Sequence, residues 1–150
     1  MEREKIFFEL METLYELSRQ ISAYESIPRK YGTDDDLYMV EAHTINRIGD
    51  LGQTSTTELA RLTNKTKGAI SQMVDKLIKK DLVVKYKNPS NQREVIIELT
   101  EKGKIVYEYH RQLDLKEYSL ILKKLDKFTT QDFKNFISIS KAILNNSDKD

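Results

Sequence analysis

The chain has 150 residues, of which 39% are hydrophobic and 33% are charged. This length and composition fit one soluble domain with a real core and little room for a second domain. There is no cysteine, which excludes disulfides, thiolate metal sites and cysteine nucleophiles. No apolar run approaches the roughly 18 residues of a membrane span, and the N-terminus lacks the basic start and cleavage site of a signal peptide. We therefore expect a cytoplasmic protein that does not enter the membrane.

The net charge is only +1, but it is unevenly distributed along the chain. Residues 61–93 carry nine basic and two acidic side chains, whereas residues 1–60 carry six basic and twelve acidic ones. Residues 94–150 are balanced, with ten of each sign. One segment thus holds the excess positive charge, which indicates either a solvated basic face or a surface for an anionic partner.

The first half of the chain has the periodicity of helices. Residues 4–24 repeat apolar side chains every three or four positions, which predicts a long amphipathic helix ended by Pro28 and Gly32. The three aspartates at 34–36 favour the start of a second helix, because a helix N-terminus stabilises negative charge, and this helix is expected to run to Gly49.

A short helix and a second, longer helix follow. Ser55, with Glu58 three residues later, has the spacing of a capping box and predicts a short helix that breaks at 64–66. Residues 67–80 then place apolar side chains on one helical face, and these are Ile70, Met73, Val74, Leu77 and Ile78. The opposite face carries Lys67, Ser71, Gln72, Asp75, Lys76 and Lys79. Such a pair of helices is typical of a helix-turn-helix, whose second helix reads DNA with polar and basic side chains.

A hairpin is predicted directly after this second helix. Residues 82–86 and 94–99 have the composition of strands, and they are joined by the polar tip "KNPSNQR" at 87–93. This tip is longer than the two residues of a tight hairpin turn, so we expect it to project as a wing onto a neighbouring minor groove. Arg93 would enter that groove, because its negative potential favours arginine. The alternative is a plain surface hairpin.

These patterns predict a mainly α fold with a small β wing, in which the wing and the second helix of the pair bind double-stranded DNA. The residues expected to contact DNA are Thr66, Lys67, Gly68, Ser71, Gln72, Lys76, Lys85, Lys87, Asn88, Ser90, Asn91, Gln92 and Arg93.

Residues 56–103, "TTELARLTNKTKGAISQMVDKLIKKDLVVKYKNPSNQREVIIELTEKG", resemble the winged helix-turn-helix of the MarR family, with "LTEKG" after the second wing strand as the most specific match. The resemblance implies a dimeric transcriptional regulator that binds palindromic operators, usually represses, and is released by ligands. Two positions depart from the family pattern. Asp81 stands where the family commonly has Gly, which requires an Asp near the left-handed region. Asn91 stands where the wing usually has Asp, so Arg93 can be oriented only by a neutral hydrogen bond.

Apolar side chains at both ends of the chain also predict a homodimer. The C-terminal segment carries such residues in helical spacing, namely Leu113, Leu120, Ile121, Leu125, Phe133, Phe136, Ile137, Ile143 and Leu144. We therefore expect a single MarR-type domain over 1–150, with a winged helix-turn-helix at about 35–100 and dimerisation helices at about 1–30 and 101–147. The alternative is a monomer whose terminal helices cover its own core.

The effector has two candidates, and no cofactor is required. The stretch "EAHTINRIG" at 41–49 resembles the MarR branch that represses fatty-acid synthesis, which implies an acyl chain on acyl carrier protein as corepressor. The same region is similar to the zinc-sensing branch, whose metal ligands would correspond to Glu25, His43, His110 and Asp114. His110 and Asp114 are four residues apart, so both can lie on one face of a helix and contribute to an N2O2 zinc set. The alternative for each histidine is a hydrogen-bonded structural role.

Other function classes find little support. An enzyme would have to rely on two histidines and carboxylates, without a nucleophile motif such as G-x-S-x-G. A helical interaction protein that binds no DNA is the remaining alternative, and it leaves the basic segment unexplained.

Overall fold

A computed structural model describes residues 1–146. The elements in chain order are α1 Glu2–Glu25, β1 Arg29–Lys30, β2 Asp36–Leu37, α2 Met39–Leu51, β3 Gln53–Thr54, α3 Thr56–Thr63, α4 Lys67–Lys79, β4 Val83–Asn88, β5 Asn91–Leu99, α5 Glu101–Lys124 and α6 Thr130–Asn146. The chain forms two packed units that divide after Gln112, inside α5. The mainly α fold with a small β wing is confirmed.

The helix pair forms where local capping dictates it. Ser55 Oγ accepts a hydrogen bond from the Glu58 N–H at 3.2 Å, so the predicted cap of α3 is confirmed. Asn64 ends α3 in the left-handed conformation at φ 51°. Thr66 Oγ1 accepts from the Ala69 N–H at 3.1 Å and caps α4 two residues later. The two helices are thus separated by Asn64 in the left-handed conformation, which ends α3, and by Thr66, which caps α4.

Helix α4 packs through the apolar face predicted from its sequence. Ile70, Val74 and Leu77 are buried, while Met73 and Ile78 are half-buried. The helix ends in a Schellman motif, because the Asp81 N–H donates to Ile78 O at 2.9 Å and the Leu82 N–H donates to Leu77 O at 3.0 Å. Asp81 lies at φ 59°, so its predicted left-handed conformation is confirmed.

The wing belongs to a three-stranded antiparallel sheet with the order β3-β5-β4. Its strands extend further than predicted, and only Pro89 and Ser90 connect them. The expectation of a long, seven-residue tip was therefore wrong, since residues at both ends of that segment join the ladder. The additional residues of this segment lie instead in an irregular part of β5. Lys87 pairs with Val95, whereas the next residue, Asn88, pairs with Asn91, so the register shifts between the two pairs. Residues 92–94 bulge out of the regular ladder between these pairs.

The start of α2 also differs from the prediction. The aspartates at 34–36 do not begin the helix, and Asp36 lies in the short strand β2. Two of the three carboxylates form ion pairs instead, Asp35 with Lys102 at 2.7 Å and Asp36 with Lys30 at 3.2 Å. The helix begins only at Met39, preceded by Tyr38, whose N–H donates to Glu41 Oε1 at 3.3 Å.

The two terminal helices leave large apolar surfaces uncovered within the single chain. Helix α1 has no buried residue, and Phe7, Leu17 and Ile21 on its apolar stripe are each close to half exposed. In the second unit, α6 exposes Phe136 and Ile137. The boundaries of the winged part and of the dimerisation segments stay a prediction, and residue 147 at the end of the latter lies outside the described residues. Within residues 1–146, no helix combines the length and apolar character that crossing a membrane requires.

Candidate nucleic-acid interface

The exposed face of α4 presents the polar side chains that the sequence predicted. Ser71, Gln72 and Lys76 are exposed on the side opposite the buried stripe. Lys67 and Gly68 lie in the first turn, and a Cβ built on Gly68 would have only Thr66 Oγ1 nearby, at 4.0 Å. The N-terminal half of α4 is therefore an open, polar surface that another molecule can approach closely.

Several cations of the basic segment form no ion pair with the described residues. Among residues 1–146, the side chains of this segment that enter no ion pair are Lys65, Lys67, Lys76, Lys79, Lys87 and Arg93, and all are exposed. Lys65 and Lys79 are not in the predicted DNA-contact set, although the charge excess of the segment includes them. Because no nearby carboxylate among the described residues neutralises these charges, they can attract an anionic partner.

Three cations of the same segment are already neutralised, which its net charge could not reveal. Arg61 pairs with Glu58 at 2.7 Å, and Lys80 pairs with the buried Glu41 at 2.9 Å. Lys85, a predicted DNA contact, lies 3.2 Å from Asp75 of α4. This pair is half exposed and joins the first wing strand to α4, so Lys85 also supports the wing.

Polar residues of the wing tip hold its backbone in shape. Asn88 Oδ1 accepts from the Ser90 N–H at 3.0 Å, and its Nδ2 donates to Glu94 Oε2 at 2.8 Å. Asn91 Oδ1 accepts from the backbone N–H of Arg93 at 3.2 Å. Asn91 therefore fixes the bulge that carries Arg93, while the guanidinium of Arg93 makes no hydrogen bond or ion pair within the described part of the chain.

A groove joins the wing to the start of α3. It is lined by Ser55, Thr56 and Thr57 on one side and by Asn91 and Arg93 on the other. Hydroxyl groups, a helix N-terminus and a free guanidinium are groups that bind phosphate oxygens. The groove thus places hydroxyl residues at the start of α3 opposite Arg93 of the wing, with the acidic Glu94 also in its lining.

The candidate zinc ligands are only partly brought together. The rings of His43 and His110 lie 5.4 Å apart between centroids, on α2 and α5. His110 is buried against Tyr31, and its Nδ1 contacts Asn46 Nδ2 at 2.5 Å. Nowhere in residues 1–146 do three or more histidine and carboxylate side chains form a group that could hold a metal. The four-residue set with Glu25 and Asp114 stays a prediction.

Most of the stretch at 41–49 has a packing role. Ala42, Ile45 and Ile48 are fully buried. Thr44 Oγ1 donates to the Val40 carbonyl at 2.8 Å, as helix-interior threonines do. At Gly49 an added Cβ would clash with the ring of Tyr107, whose OH donates to Asp50 at 2.8 Å. Packing does not explain Asn46 Oδ1, which is a buried acceptor without a hydrogen-bond partner among the described residues.

The helix pair, its uncovered polar face and the wing behind it define a winged helix-turn-helix protein. The model of the MarR family matches residues 37–95. This part of the chain, about two fifths of its length, is therefore similar to the MarR family.

Curated relatives are transcriptional regulators. The HTH-type transcriptional regulator PchR of Bacillus subtilis (strain 168) is 29% identical over 96 residues, which are 64% of this chain and 57% of PchR. The HTH-type transcriptional repressor NicR of Pseudomonas putida is 29% identical over 99 residues, which are 61% of this chain and 63% of NicR. The matched region thus spans about three fifths of these relatives.

Solved structures share the fold over nearly the whole chain. The adhesin competence repressor AdcR from Streptococcus pyogenes has a TM-score of 0.74 at 19% identity, covering 91% of this chain and 96% of AdcR. A mutant MarR from E. coli complexed with operator DNA has a TM-score of 0.68 at 21% identity, covering 92% and 97%. ZitR, a zinc-responsive MarR family member of Lactococcus lactis, has a TM-score of 0.68 at 19% identity, covering 95% and 99%.

Proposed function

We propose that this protein is a sequence-specific, DNA-binding transcriptional regulator that acts in the cytoplasm as a dimeric repressor of palindromic operators. The observation that carries the proposal is the exposed polar face of α4, flanked by unpaired cations from Lys65 to Arg93. A segment with such charges on a winged helix-turn-helix matches the electrostatic footprint of a DNA-binding surface.

Helix α4 and the wing would contact different parts of the DNA. Helix α4 would enter the major groove, where Ser71 and Gln72 can donate to and accept from base edges. The wing would follow the backbone into the adjacent minor groove, with Arg93 inserted and Lys87 near a phosphate. The base contacts would set sequence preference, while the phosphate contacts would supply most of the affinity.

A homodimer follows from the uncovered apolar surfaces. The exposed side chains of α1 and those of α6 would leave water on association with a second copy, a favourable change of about 25 cal/mol per Å² of apolar area. Two copies related by a twofold axis present two α4 helices to half-sites about one helical turn apart, roughly 34–36 Å. Such a dimer reads a palindrome.

The effector is proposed at the junction of α2 and α5. The orphaned Asn46 Oδ1 beside His110 favours a polar ligand there, since buried polar groups are rarely left without a partner. An acyl group carried by acyl carrier protein and zinc are the two candidates, and the name of ZitR describes a zinc response in that protein. Either effector can act only by binding the DNA-competent conformation with a different affinity from the others.

The proposal is tested by a binding titration on duplex DNA from the region upstream of the chain's own coding sequence, with a shuffled duplex of equal composition as the control. We expect tighter binding to the upstream duplex. Equal affinity for both duplexes would remove sequence specificity, and no binding to either would favour the helical interaction protein. The same titration with zinc, with chelator and with an acyl carrier conjugate identifies the effector.

A further inference from the structure

Residues at the start of α5 form hydrogen bonds with the backbone at the end of α4. Helix C-termini leave carbonyl groups without partners inside the helix. Here Lys102 Nζ donates to Lys80 O at 3.0 Å, Thr100 Oγ1 donates to Asp81 O at 2.7 Å, and the Thr100 N–H donates to Leu82 O at 3.1 Å. Three successive carbonyls after α4 are thus held by two residues at the beginning of α5.

The Thr100 hydroxyl takes part in both helices at once. Besides donating to Asp81 O, its Oγ1 accepts from the Gly103 N–H at 3.0 Å, which caps α5. A Cβ at Gly103 would lie 2.0 Å from Leu82 O, so only glycine allows the two backbones to approach this closely. This contact explains the Thr and the Gly of the "LTEKG" motif physically.

Lys102 also forms an ion pair with the segment before α2. Its Nζ lies 2.7 Å from Asp35 Oδ2, and this pair is only partly exposed. The Lys102 ammonium lowers the pKa of the Asp35 carboxyl below its usual value, mainly through their hydrogen bond. The Lys102 side chain therefore bridges the segment before α2 and the C-terminal cap of α4.

We propose that Thr100 and Lys102 are positioning residues that set the direction of α4 relative to α5, and thereby the half-site spacing that the dimer accepts. This inference rests on the proposed function. The reason is geometric: α4 is the element expected in the major groove, while the part of α5 in the same packed unit carries exposed Ile105 and Tyr109, apolar surface that a dimer would bury. A firm α4–α5 joint makes the separation of the two α4 helices a fixed property of the dimer. A loosened joint lets each α4 turn to meet half-sites at other separations.

The inference is tested with operators whose half-sites are moved closer or further apart by one and two base pairs. Lys102→Met removes one clamp, and Lys104→Met is the matched control, since Lys104 pairs only with the exposed Glu101 at 2.8 Å. We expect Lys102→Met to lose at least about fivefold of the wild-type preference for the natural spacing, because a hydrogen bond from a charged group is removed. The dependence of affinity on salt should stay unchanged, since Lys102 is not expected to contact a phosphate. Lys104→Met should keep the wild-type preference.

Thr100 provides the second pair of variants. Thr100→Val removes the hydroxyl and should also weaken the spacing preference, whereas Thr100→Ser retains the hydroxyl and should restore it. A lower melting temperature with an unchanged spacing preference in both Lys102→Met and Thr100→Val would overturn the inference, as would equal weakening at every spacing with a reduced salt dependence. If the wild-type protein binds no duplex, the proposed function fails. If it binds and the variants match it at every spacing, only this inference fails.

Discussion

Gln72 and Arg93 reach outward from different elements and should contribute differently to DNA binding. Gln72 is exposed on α4, whereas Arg93 lies in the bulge of β5, and its guanidinium has no ion-pair partner among residues 1–146. We expect Gln72→Ala to reduce the preference for the operator over shuffled DNA, with each good base contact contributing roughly 1–3 kcal/mol. Arg93→Ala should weaken binding to both duplexes, and most at A·T-rich sites with a narrow minor groove.

Both variants are compared by anisotropy titration on the same two duplexes. An Arg93→Ala protein that keeps its fold and its full affinity would contradict the role of the wing. A Gln72→Ala protein that loses the same factor on both duplexes would show that Gln72 contacts the backbone rather than a base.

At the level of single residues, the sequence predicted what depends on local chemistry. The Ser55 cap and the left-handed Asp81 follow from interactions within a few residues along the chain. The pairing of Lys80 with Glu41 joins positions 39 residues apart, so no local pattern could indicate that this cation is withdrawn from the basic surface. The Asp75–Lys85 pair is a similar case across two elements.

The type of each helix or strand was predicted more accurately than its boundaries. The hairpin after α4 was expected, but its strands are longer and its bulge lies in β5, because cross-strand bonds such as Asn88 to Glu94 decide where the ladder ends. The aspartates at 34–36 suit a helix N-terminus by charge alone. Lys30 pairs with Asp36 and Lys102 pairs with Asp35, and these tertiary contacts overrode the local preference for a helix start.

The pair of Asp35 and Lys102 should give a pH-dependent contribution to stability. The carboxyl pKa of Asp35 lies below its ordinary value of 3.8 in the folded protein, first because of the hydrogen bond from Lys102. The stabilisation is therefore complete above the unfolded pKa and is lost as pH falls through the folded pKa. We expect Asp35→Asn to lower the free energy of unfolding at pH 7 by up to about 1 kcal/mol, the range of partly exposed ion pairs.

Urea denaturation at pH 7 and at pH 3 or below measures this difference. The gap between the wild type and Asp35→Asn should shrink at the acidic end. Asp34→Asn is the matched control, because the Asp34 carboxylate has no ion-pair partner among the described residues. A gap that stays constant over this pH range would show that the carboxylate charge is not the source of the stabilisation.

On the scale of the whole molecule, the uncovered apolar surfaces predict self-association. Ile21 lies on the apolar stripe of α1 and is 49% exposed in the single chain. Replacing it with glutamate would bury an unpaired charge in the proposed interface, so Ile21→Glu should shift the protein from dimer to monomer. Ala23 lies about 200° further around the helix, at about 100° per residue, so Ala23→Glu should remain dimeric.

Sedimentation velocity at micromolar concentration distinguishes these states. Circular dichroism should show the helical content of both variants unchanged, since both positions are exposed in the single chain. A wild-type protein that sediments as a monomer at all concentrations would contradict the proposed dimer, and with it the palindromic operator.

The cations on α4 and the wing that form no ion pair within residues 1–146 are proposed to bind the phosphates of duplex DNA. The most direct test is the salt dependence of operator affinity for the wild type and for Lys87→Met. If the dimer neutralises about six to ten phosphates, log affinity should fall linearly with log salt at a slope near −0.9 per phosphate, and Lys87→Met should reduce the steepness by about one for each protomer's contact. An affinity that does not change with salt, or an identical slope for both proteins, would contradict the account.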